Sequence, residues 1–323
     1  MIQVTVTSAL DSASDNSASD NSASKNAASP NAAASGTWRI GDRTVHRLGF
    51  GAMRLTGTAA FHGGTPRDRA TSIAVLRRAV ELGVNHVDTA AFYFSALRSA
   101  NEIISVALAP FGDEVLVATK VGPRRDRAGA WSDAARPDEL RGDVEENLRQ
   151  LGRDYLDLVY LRNMRWESLA EHFGALAELR EAGLIRNLGV SGVTPAQLAE
   201  VRTVAPVTAV QNRFGLGHAD DAELLRACAE AGIAFVPFFA IAGARASGAA
   251  PDPAAAVESE TVLAVAKAHG ATPAQIRLAW SLAQGPHVLA IPGTGDLAHL
   301  EANVAAGAIR LSAEESAALE STA

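Results

Sequence analysis

The sequence predicts a (β/α)8 TIM barrel that begins with a β-hairpin and is preceded by a disordered tail. Three observations lead to this fold class. Eight short apolar runs alternate with amphipathic helical stretches, and several of those stretches end in glycine, the residue that most easily takes the left-handed conformation of a helix C-cap. Residues 8–36, by contrast, offer almost no apolar surface. Strands that are apolar throughout and separated by helices indicate a parallel sheet covered on both faces.

The tail is predicted to span residues 1–36, where serine, alanine, asparagine and aspartate dominate and the unit Ser12-Ala-Ser-Asp-Asn recurs from Ser17. Such a polar tract cannot offset the entropy of ordering, so it is expected to remain disordered. Residues 37–323 are left as one predicted barrel domain. A length of 287 residues (323 − 36) suits a single barrel, for which about 250 residues are typical.

The predicted elements follow in chain order. Gly41-Asp42 separates two short β-prone segments and predicts the hairpin. The eight predicted barrel strands are Arg47–Met53, His86–Ala90, Val115–Val121, Leu156–Arg162, Asn187–Val193, Ala209–Phe214, Ala234–Ala240 and Val288–Thr294. The predicted helices are Arg69–Leu82, Leu97–Leu108, Pro137–Leu151, Leu169–Ala182, Pro195–Val204, Asp221–Ala231, Glu258–His269 and Thr272–Ala283. A doubly wound open sheet is the alternative, but Gly49-Phe-Gly-Ala-Met-Arg lacks the third glycine of a dinucleotide-binding turn.

Composition excludes several classes of protein. The net charge of −7 and the pI near 5.6 disfavour a nucleic-acid partner, because binding to phosphates needs an excess of cations. The single cysteine, Cys228, excludes a disulfide framework and a multi-cysteine metal site. No apolar run is long enough to span a membrane, and the start of the chain lacks a secretory signal. A cytoplasmic protein without a membrane partner is therefore expected, and its oligomeric state is left open.

Four side chains mark a candidate catalytic site. Reactive groups of a barrel come from the C-terminal ends of its strands. There the second, third and fourth predicted strands present Asp88, Lys120 and Arg162, and Tyr93 follows one short loop after Asp88. A structural ion pair between Asp88 and Lys120 is the simpler alternative, since such pairs also occur at barrel mouths without any catalytic role.

These residues resemble the signature of the aldo-keto reductase family. The matching segments are Gly83-Val-Asn-His-Val-Asp88-Thr-Ala-Ala-Phe-Tyr93, Val117-Ala-Thr-Lys120, Asp154-Tyr-Leu-Asp-Leu-Val-Tyr-Leu-Arg162, Gly189-Val-Ser191, Val210-Gln211-Asn212, Ile291-Pro-Gly-Thr294 and His299-Leu-Glu-Ala-Asn303. They run in order across about residues 37–320. The resemblance implies NADPH-dependent reduction of an aldehyde or ketone to an alcohol, with a small-molecule carbonyl compound as the substrate.

The resemblance also assigns roles to the four side chains. Tyr93 is expected to give a proton to the carbonyl oxygen as a general acid. Lys120 is expected to lower the pKa of the phenol from its usual value of about 10, and Asp88 to hold Lys120 charged. No metal is needed for this chemistry.

Arg162 departs from the family pattern, which usually has histidine there. A guanidinium only donates hydrogen bonds and stays charged, so a proton-relay role does not carry over. A branch that resembles pyridoxal reductases shares the Leu-Arg ending and the loop after the third strand. Within that loop we expect Trp131, Arg124 and Arg125 to contact substrate. For Arg162, the structural alternative is a salt bridge to Asp157 or to a carboxylate of a loop.

The cofactor site follows from the same resemblance. Ser191 and Gln211 are expected to hold the nicotinamide carboxamide, although Gly192 stands where the family usually has asparagine. Phe238 is expected to stack on the nicotinamide. The further expected cofactor-binding residues are Gly51, Met53, Arg54, Asp88, Phe239, Ala240, Ile241, Gly243, Ile291, Gly293, Thr294, His299 and Asn303. The family implies NADPH/NADP, whereas Asp296 leaves NAD open, because acidic residues often bind a ribose hydroxyl.

Two other functions are compatible with the sequence. One is a cofactor-binding sensor or subunit without catalysis, which the departures at Arg162 and Gly192 suggest. The other is a phosphate-handling barrel enzyme, such as an isomerase, that uses the glycine-containing loop after the eighth strand. The substrate is not fixed by sequence: a pyridoxal-like aldehyde and an intermediate of secondary metabolism are both compatible.

Overall fold

The structure is a computed structural model that describes residues 29–57, 65–126, 128–238, 240–241 and 258–321. It contains an antiparallel hairpin and a parallel sheet whose seven strands follow one another in chain order. The hairpin consists of β1 (Thr37–Ile40) and β2 (Arg43–His46). The parallel strands are β3 (Phe50–Gly51), β4 (His86–Asp88), β5 (Leu116–Val121), β6 (Leu156–Arg162), β7 (Ile185–Ser191), β8 (Ala209–Gln211) and β9 (Ala234–Phe235).

The sheet closes into a barrel through a short eighth segment. Val288 forms a parallel bridge to Phe235 of β9, and Ala290 forms one to Leu48, just before β3. The predicted strand Val288–Thr294 is thus reduced to isolated bridges, since Pro292 has no N–H to continue the ladder. The predicted (β/α)8 barrel is confirmed, and the doubly wound open sheet is wrong.

Helices cover the outside of the barrel. They are α1 (Arg69–Glu81), α2 (Ala100–Leu108), α3 (Leu140–Leu151), α4 (Ala170–Glu181), α5 (Pro195–Val204), α6 (Ala222–Ala231), α7 (Glu260–Ala268), α8 (Pro273–Ala283), α9 (Leu297–Ala305) and α10 (Ala313–Ser321). Most predicted boundaries hold within two residues. The largest differences are at α2 and α3, which each begin three residues late. The Ser99 side chain caps α2 by accepting a hydrogen bond from the Glu102 amide, and a 3-10 turn over Pro137–Glu139 precedes α3. Within the described part of the chain, no helix is long and apolar enough to cross a membrane.

The hairpin plugs the end of the barrel opposite the strand ends that carry Asp88, Lys120 and Arg162. Ile40 and Val45 pack into a cluster with Leu116, Leu158 and Tyr160, which point into the barrel from β5 and β6. Burial of these apolar side chains stabilises the closed end. Substrate can therefore approach only at the other end, where the strands terminate.

The predicted tail ends earlier than residue 36. Residues 1–28 lie outside the described part, but Ala32–Ser35 form one turn of 3-10 helix. The Ala32 amide donates to the Leu82 carbonyl, and the Ser35 hydroxyl accepts from the Leu48 amide. Tertiary hydrogen bonds and the burial of Ala32 hold this segment, which composition alone assigns to the tail.

Candidate active site

Three adjacent strands place the charged side chains at one rim. Asp88 is the last residue of β4, Arg162 is the last residue of β6, and Lys120 is next to last in β5. Asp88 is in register with Ala118, and Lys120 with Tyr160, so the three side chains leave neighbouring strands near the same mouth. The sequence prediction that these residues converge is supported by this register.

Lys120 and Asp88 form a buried ion pair. The Lys120 Nζ lies 2.8 Å from Oδ1 and 2.6 Å from Oδ2 of Asp88, and it also donates to the Thr89 carbonyl at 3.0 Å. Gln211 on β8 donates to Asp88 Oδ1 at 2.7 Å. Each of the three ammonium hydrogens of Lys120 thus has an acceptor within hydrogen-bonding distance. A buried ion pair is tolerated only when its polar atoms are hydrogen-bonded in this way.

Tyr93 lies against this pair. The Lys120 ammonium is 5.0 Å from the centre of the Tyr93 ring, so its charge acts directly on the phenol. The backbone fixes the loop, because the Tyr93 amide donates to the Ala90 carbonyl and the Tyr93 carbonyl accepts from the Ala100 amide of α2. The ring is 8% exposed, so the phenol can be reached only from the mouth.

The pKa values of this cluster are set mainly by burial. Burial raises the pKa of the Tyr93 phenol; Lys120 and Arg162 oppose the rise and Asp88 adds to it. The expectation that Lys120 leaves Tyr93 with a lowered pKa is therefore wrong in its net sign, because desolvation of the phenolate outweighs the cations. Burial also acts to lower the pKa of Lys120, but the Asp88 carboxylate, and the Tyr93 oxygen once it ionises, raise it overall.

A polar network behind the strand ends was not found by sequence reasoning. The Thr89 hydroxyl donates to the Asn101 side chain of α2, and the Thr119 hydroxyl donates to the Asn147 side chain of α3 at 2.6 Å. Asn101 and Asn147 are themselves hydrogen-bonded at 3.0 Å. The residues next to Asp88 and Lys120 are thus tied to two helices. Nothing in the local sequence signals this pairing, because the partners are 12 to 46 residues apart.

The Arg162 side chain points toward the end of β7 and the segment that follows β9. Its Nη1 donates to the Ser191 hydroxyl at 3.3 Å, and its guanidinium carbon lies 5.3 Å from the centre of the Phe238 ring. A Cβ atom on Gly192 would come within 2.2 Å of Nη1, so the guanidinium occupies the space of a side chain at that position. The alternative salt bridge to Asp157 is wrong, since Asp157 pairs with Arg153 at 2.7 Å.

The three predicted substrate residues in the loop after β5 have different surroundings. Trp131 is 46% exposed at the rim. Arg124 instead pairs with Asp143 at 2.8 Å and Glu139 at 3.1 Å on the outer side of the loop. Arg125 donates to the carbonyls of Phe92 and Phe94, at 2.9 and 2.8 Å, and so fixes the loop that carries Tyr93.

Backbone contacts form the other side of the mouth. A Cβ atom on Gly51 would lie 2.6 Å from the Ile291 carbonyl oxygen, and one on Gly293 would lie 2.6 Å from the Gly51 carbonyl oxygen. Glycine at both positions lets the end of β3 and the segment after Ala290 approach closely. The Thr294 hydroxyl accepts from the Asp296 amide at 3.1 Å, and the Asp296 carboxylate caps α9 by accepting from the His299 amide.

Arg67 is a cation that sequence reasoning missed in this region. Its Nη1 donates to the Gly295 carbonyl at 2.9 Å, whereas its buried Nε has no hydrogen-bond partner among the described residues. A Cβ atom on Gly295 would come within 2.0 Å of that Nε. Gly295 therefore makes room for an arginine from a distant loop, which brings a positive charge to this side of the mouth. These residues fit the phosphates of a dinucleotide.

The remaining predicted cofactor residues lie around the same rim or outside the described part. Met53 and Arg54 form part of the 3-10 helix Ala52–Thr56 after β3. His299, 79% exposed, and the buried Asn303 are on α9. Ala240 and Ile241 follow Phe238, and Phe239 and Gly243 fall outside the described residues. No group of three metal-ligating side chains occurs within the ranges that the structure describes.

Comparison with known proteins decides the family. Residues 47–323 match the aldo/keto reductase family. The chain belongs to this family. Membership makes it an oxidoreductase and sets aside the isomerase alternative.

Over most of its length, the chain is similar to a known enzyme and to two solved structures. It is 42% identical to pyridoxine 4-dehydrogenase of Escherichia coli (strain K12) over 288 residues, which cover 87% of the chain and 96% of that enzyme. A crystal structure of an aldo-keto reductase from Klebsiella pneumoniae in complex with NADPH is 27% identical, with a TM-score of 0.72 over 88% of this chain and 94% of that one. The thermostable aldo-keto reductase Tm1743, crystallised with the inhibitor epalrestat, is 29% identical with a TM-score of 0.73, over 89% and 99% of the two chains.

Proposed function

We propose that this chain is an NADPH-dependent reductase that converts an aldehyde or ketone to an alcohol, with Tyr93 as the general acid. The observation that carries the proposal is the contact of the Tyr93 phenol with the buried Lys120–Asp88 pair. A structural ion pair alone would not need a phenol at the same mouth. The convergence of the three groups supports a catalytic role over a purely structural one.

The residues divide the work between binding and proton transfer. Bound NADPH supplies the hydride for the carbonyl carbon. Tyr93 donates its proton to the carbonyl oxygen as negative charge develops there, and the charged Lys120 beside it stabilises the resulting phenolate. Asp88 keeps Lys120 charged and aimed, and Gln211 holds Asp88 from the other side.

The cofactor is proposed to bind along the rim from β7 to α9. Ser191 and Phe238 would hold the nicotinamide end. Gly51, Gly293 and Thr294 would leave room for the pyrophosphate, and the Arg67 guanidinium, held beside Gly295, would meet the 2′-phosphate. A guanidinium suits phosphate because it can donate two parallel hydrogen bonds.

The substrate is proposed to be a flat aromatic aldehyde similar to pyridoxal. The name of the Escherichia coli relative and the exposed indole of Trp131 at the rim support this choice. An aromatic ring could pack on the indole while its carbonyl reaches the buried phenol.

Replacing Tyr93 with phenylalanine tests the function directly. The Tyr93→Phe variant is expected to lower the rate of pyridoxal reduction by roughly 10²- to 10⁴-fold, the usual contribution of a general acid. Its affinity for NADPH should stay within a few-fold, because the phenol acts on the carbonyl oxygen. The rate is measured by NADPH oxidation and the affinity by cofactor fluorescence.

Tyr155→Phe is the matched control for this change. Tyr155 stacks against Arg186 at the far end of β6, so the control should keep the full rate. If Tyr93→Phe reduces aldehydes as fast as the unchanged chain, Tyr93 is not the acid. If the unchanged chain binds NADPH but turns over no aldehyde in a broad panel, the cofactor-binding sensor is the better description.

A further inference from the structure

We infer that Arg162 makes the site bind the reduced cofactor in preference to the oxidised one, and so adapts the enzyme to carbonyl reduction. The inference deepens the proposed function and depends on its assignment of Ser191 and Phe238 to the nicotinamide end. The two forms of the cofactor carry the same phosphates. They differ in the nicotinamide ring, which is neutral when reduced and carries a positive charge when oxidised.

The contacts of Arg162 all belong to that end of the site. Its Nη1 bonds to the Ser191 hydroxyl at 3.3 Å, its guanidinium lies against the Phe238 ring at 5.3 Å, and it fills the space beside Gly192. Gly192 has a positive φ of 71°. Its turn is fixed by Asn212, whose Oδ1 accepts from the amides of Gly192 and Val193 at 2.8 and 3.1 Å. The guanidinium is thus seated in a built position.

The charge of Arg162 is not neutralised by the groups around it. Lys120 and Asp88 cancel each other in their ion pair, and Tyr93 is uncharged because burial raises the pKa of its phenol. No carboxylate of the described residues pairs with Arg162, and the nearest acid on its own strand, Asp157, is held by Arg153 and Arg43. Among these four side chains, one positive charge therefore remains, and Arg162 carries it.

Burial makes this charge effective. It lowers the pKa of the Arg162 guanidinium, which still remains protonated at neutral pH. In a partly buried site, two like charges several ångströms apart repel by an amount worth tenfold or more in affinity. This repulsion would weaken the binding of the oxidised cofactor and leave the binding of the reduced cofactor unaffected. The reduced cofactor then binds readily, and the oxidised cofactor dissociates readily after the reaction.

The ratio of two dissociation constants measures the effect without turnover. We expect the unchanged protein to bind NADPH at least about tenfold more tightly than NADP⁺, by titration calorimetry of both forms. In Arg162→Gln and Arg162→Met the ratio should fall toward one, whereas Arg162→Lys should keep part of it because the charge remains. A tenfold ratio also raises the potential of the bound couple by about 30 mV.

Arg67→Gln is the matched control. It removes a guanidinium that is proposed to contact a phosphate common to both forms, so it should weaken NADPH and NADP⁺ equally and leave the ratio unchanged. Equal affinities in the unchanged protein overturn the inference, and so does a ratio that Arg162→Gln and Arg162→Met do not alter. If these variants change only the KM of an anionic aldehyde, Arg162 binds substrate instead. If neither form binds to the unchanged protein, the proposed function fails as well.

Discussion

Tyr93 shows how burial and neighbouring charge compete at one side chain. Two cations act to ionise the phenol, yet desolvation keeps its pKa above the usual value. A phenol that stays protonated is a suitable proton donor throughout the physiological range. What Lys120 contributes is therefore better described as stabilising the phenolate when it forms than as ionising Tyr93 beforehand.

The pH dependence of hydride transfer should follow from this raised pKa. If Tyr93 is the general acid, as proposed, reduction needs the protonated phenol. The single-turnover rate is then expected to stay flat from neutral pH to about pH 9 and to fall only as the phenol ionises, beyond its usual pKa of about 10. Rapid mixing of the enzyme–NADPH complex with aldehyde at a series of pH values measures it. A decline centred between pH 7 and 8 would contradict the prediction.

Arg67 should discriminate between the two nicotinamide dinucleotides. Loss of a charge-assisted hydrogen bond in Arg67→Gln is expected to weaken NADPH binding by roughly tenfold or more and to leave NADH binding nearly unchanged. Fluorescence titration with each cofactor provides the comparison. Arg69→Gln serves as the control, since Arg69 pairs with Glu102 on the exposed side of α1, and it should affect neither affinity.

At the scale of elements, side chains that leave the barrel outward hold the catalytic rim in place. Thr89 and Thr119 alternate with Asp88 and Lys120 along their strands, so they point outward to α2 and α3. Asn147 accepts from Thr119 and from Asn101 and donates to the Asp143 carbonyl at 2.8 Å. The helices thus fix the direction of the strand ends through hydrogen bonds as well as through packing.

Asn147→Ala should therefore destabilise the fold. It removes the acceptor of the buried Thr119 hydroxyl and one acceptor of Asn101, and the expected loss of unfolding free energy is about 2–4 kcal/mol. Urea denaturation measures this loss. Glu145→Ala on the same helix removes an exposed ion pair with Arg141, and its cost should stay below about 1 kcal/mol. Similar losses in both variants would argue against the network.

Local signals predicted the elements better than the contacts between them. Pro195 and Thr194 determined the start of α5, where the threonine and Gln197 form a reciprocal cap, so the sequence alone located it to the residue. The meeting of Arg67 with Gly295, or of Arg162 with Gly192, could not be predicted in this way. Such pairs form only when the barrel closes, and neither partner carries a local pattern that indicates the other.

At the scale of the whole molecule, a buried histidine that the proposed chemistry does not use affects stability. His86 begins β4, two residues before Asp88, and both of its ring nitrogens are buried without a hydrogen-bond partner among the described residues. A Cβ atom on Gly49 would come within 2.2 Å of Nε2, so the ring is closely packed. Burial, with a smaller contribution from His46, lowers the pKa of His86 to about 4.

This buried imidazole should make the fold sensitive to acid. Between pH 6.5 and about 4 the unfolded chain binds a proton at His86 that the folded chain does not, so the stability falls as the pH falls, by on the order of 3 kcal/mol in total. Denaturation midpoints of the unchanged protein and of His86→Leu across this range provide the measurement. The slope should be shallower in the variant, and parallel curves would count against the assignment.

The class of the fold followed from the number and spacing of the apolar runs, whereas the way in which the barrel closes did not. An eighth full strand was expected over Val288–Thr294, but closure relies on a few hydrogen bonds from Arg47, Gly49 and Phe235 to residues 287–290. An apolar run indicates that a segment is buried, but it does not distinguish a regular strand from an extended segment with only two bridges.

The short helix Ala32–Ser35 has a practical consequence for handling the enzyme. Ser35 packs against Gly307, and Arg310 donates to the Ala34 carbonyl, so the early and late parts of the chain meet at the plugged end of the barrel. Attachment to a resin or a sensor chip through the segment before Ser29 should therefore leave the opposite opening facing the liquid. Immobilised molecules should then meet aldehyde and dinucleotide as freely as dissolved ones do.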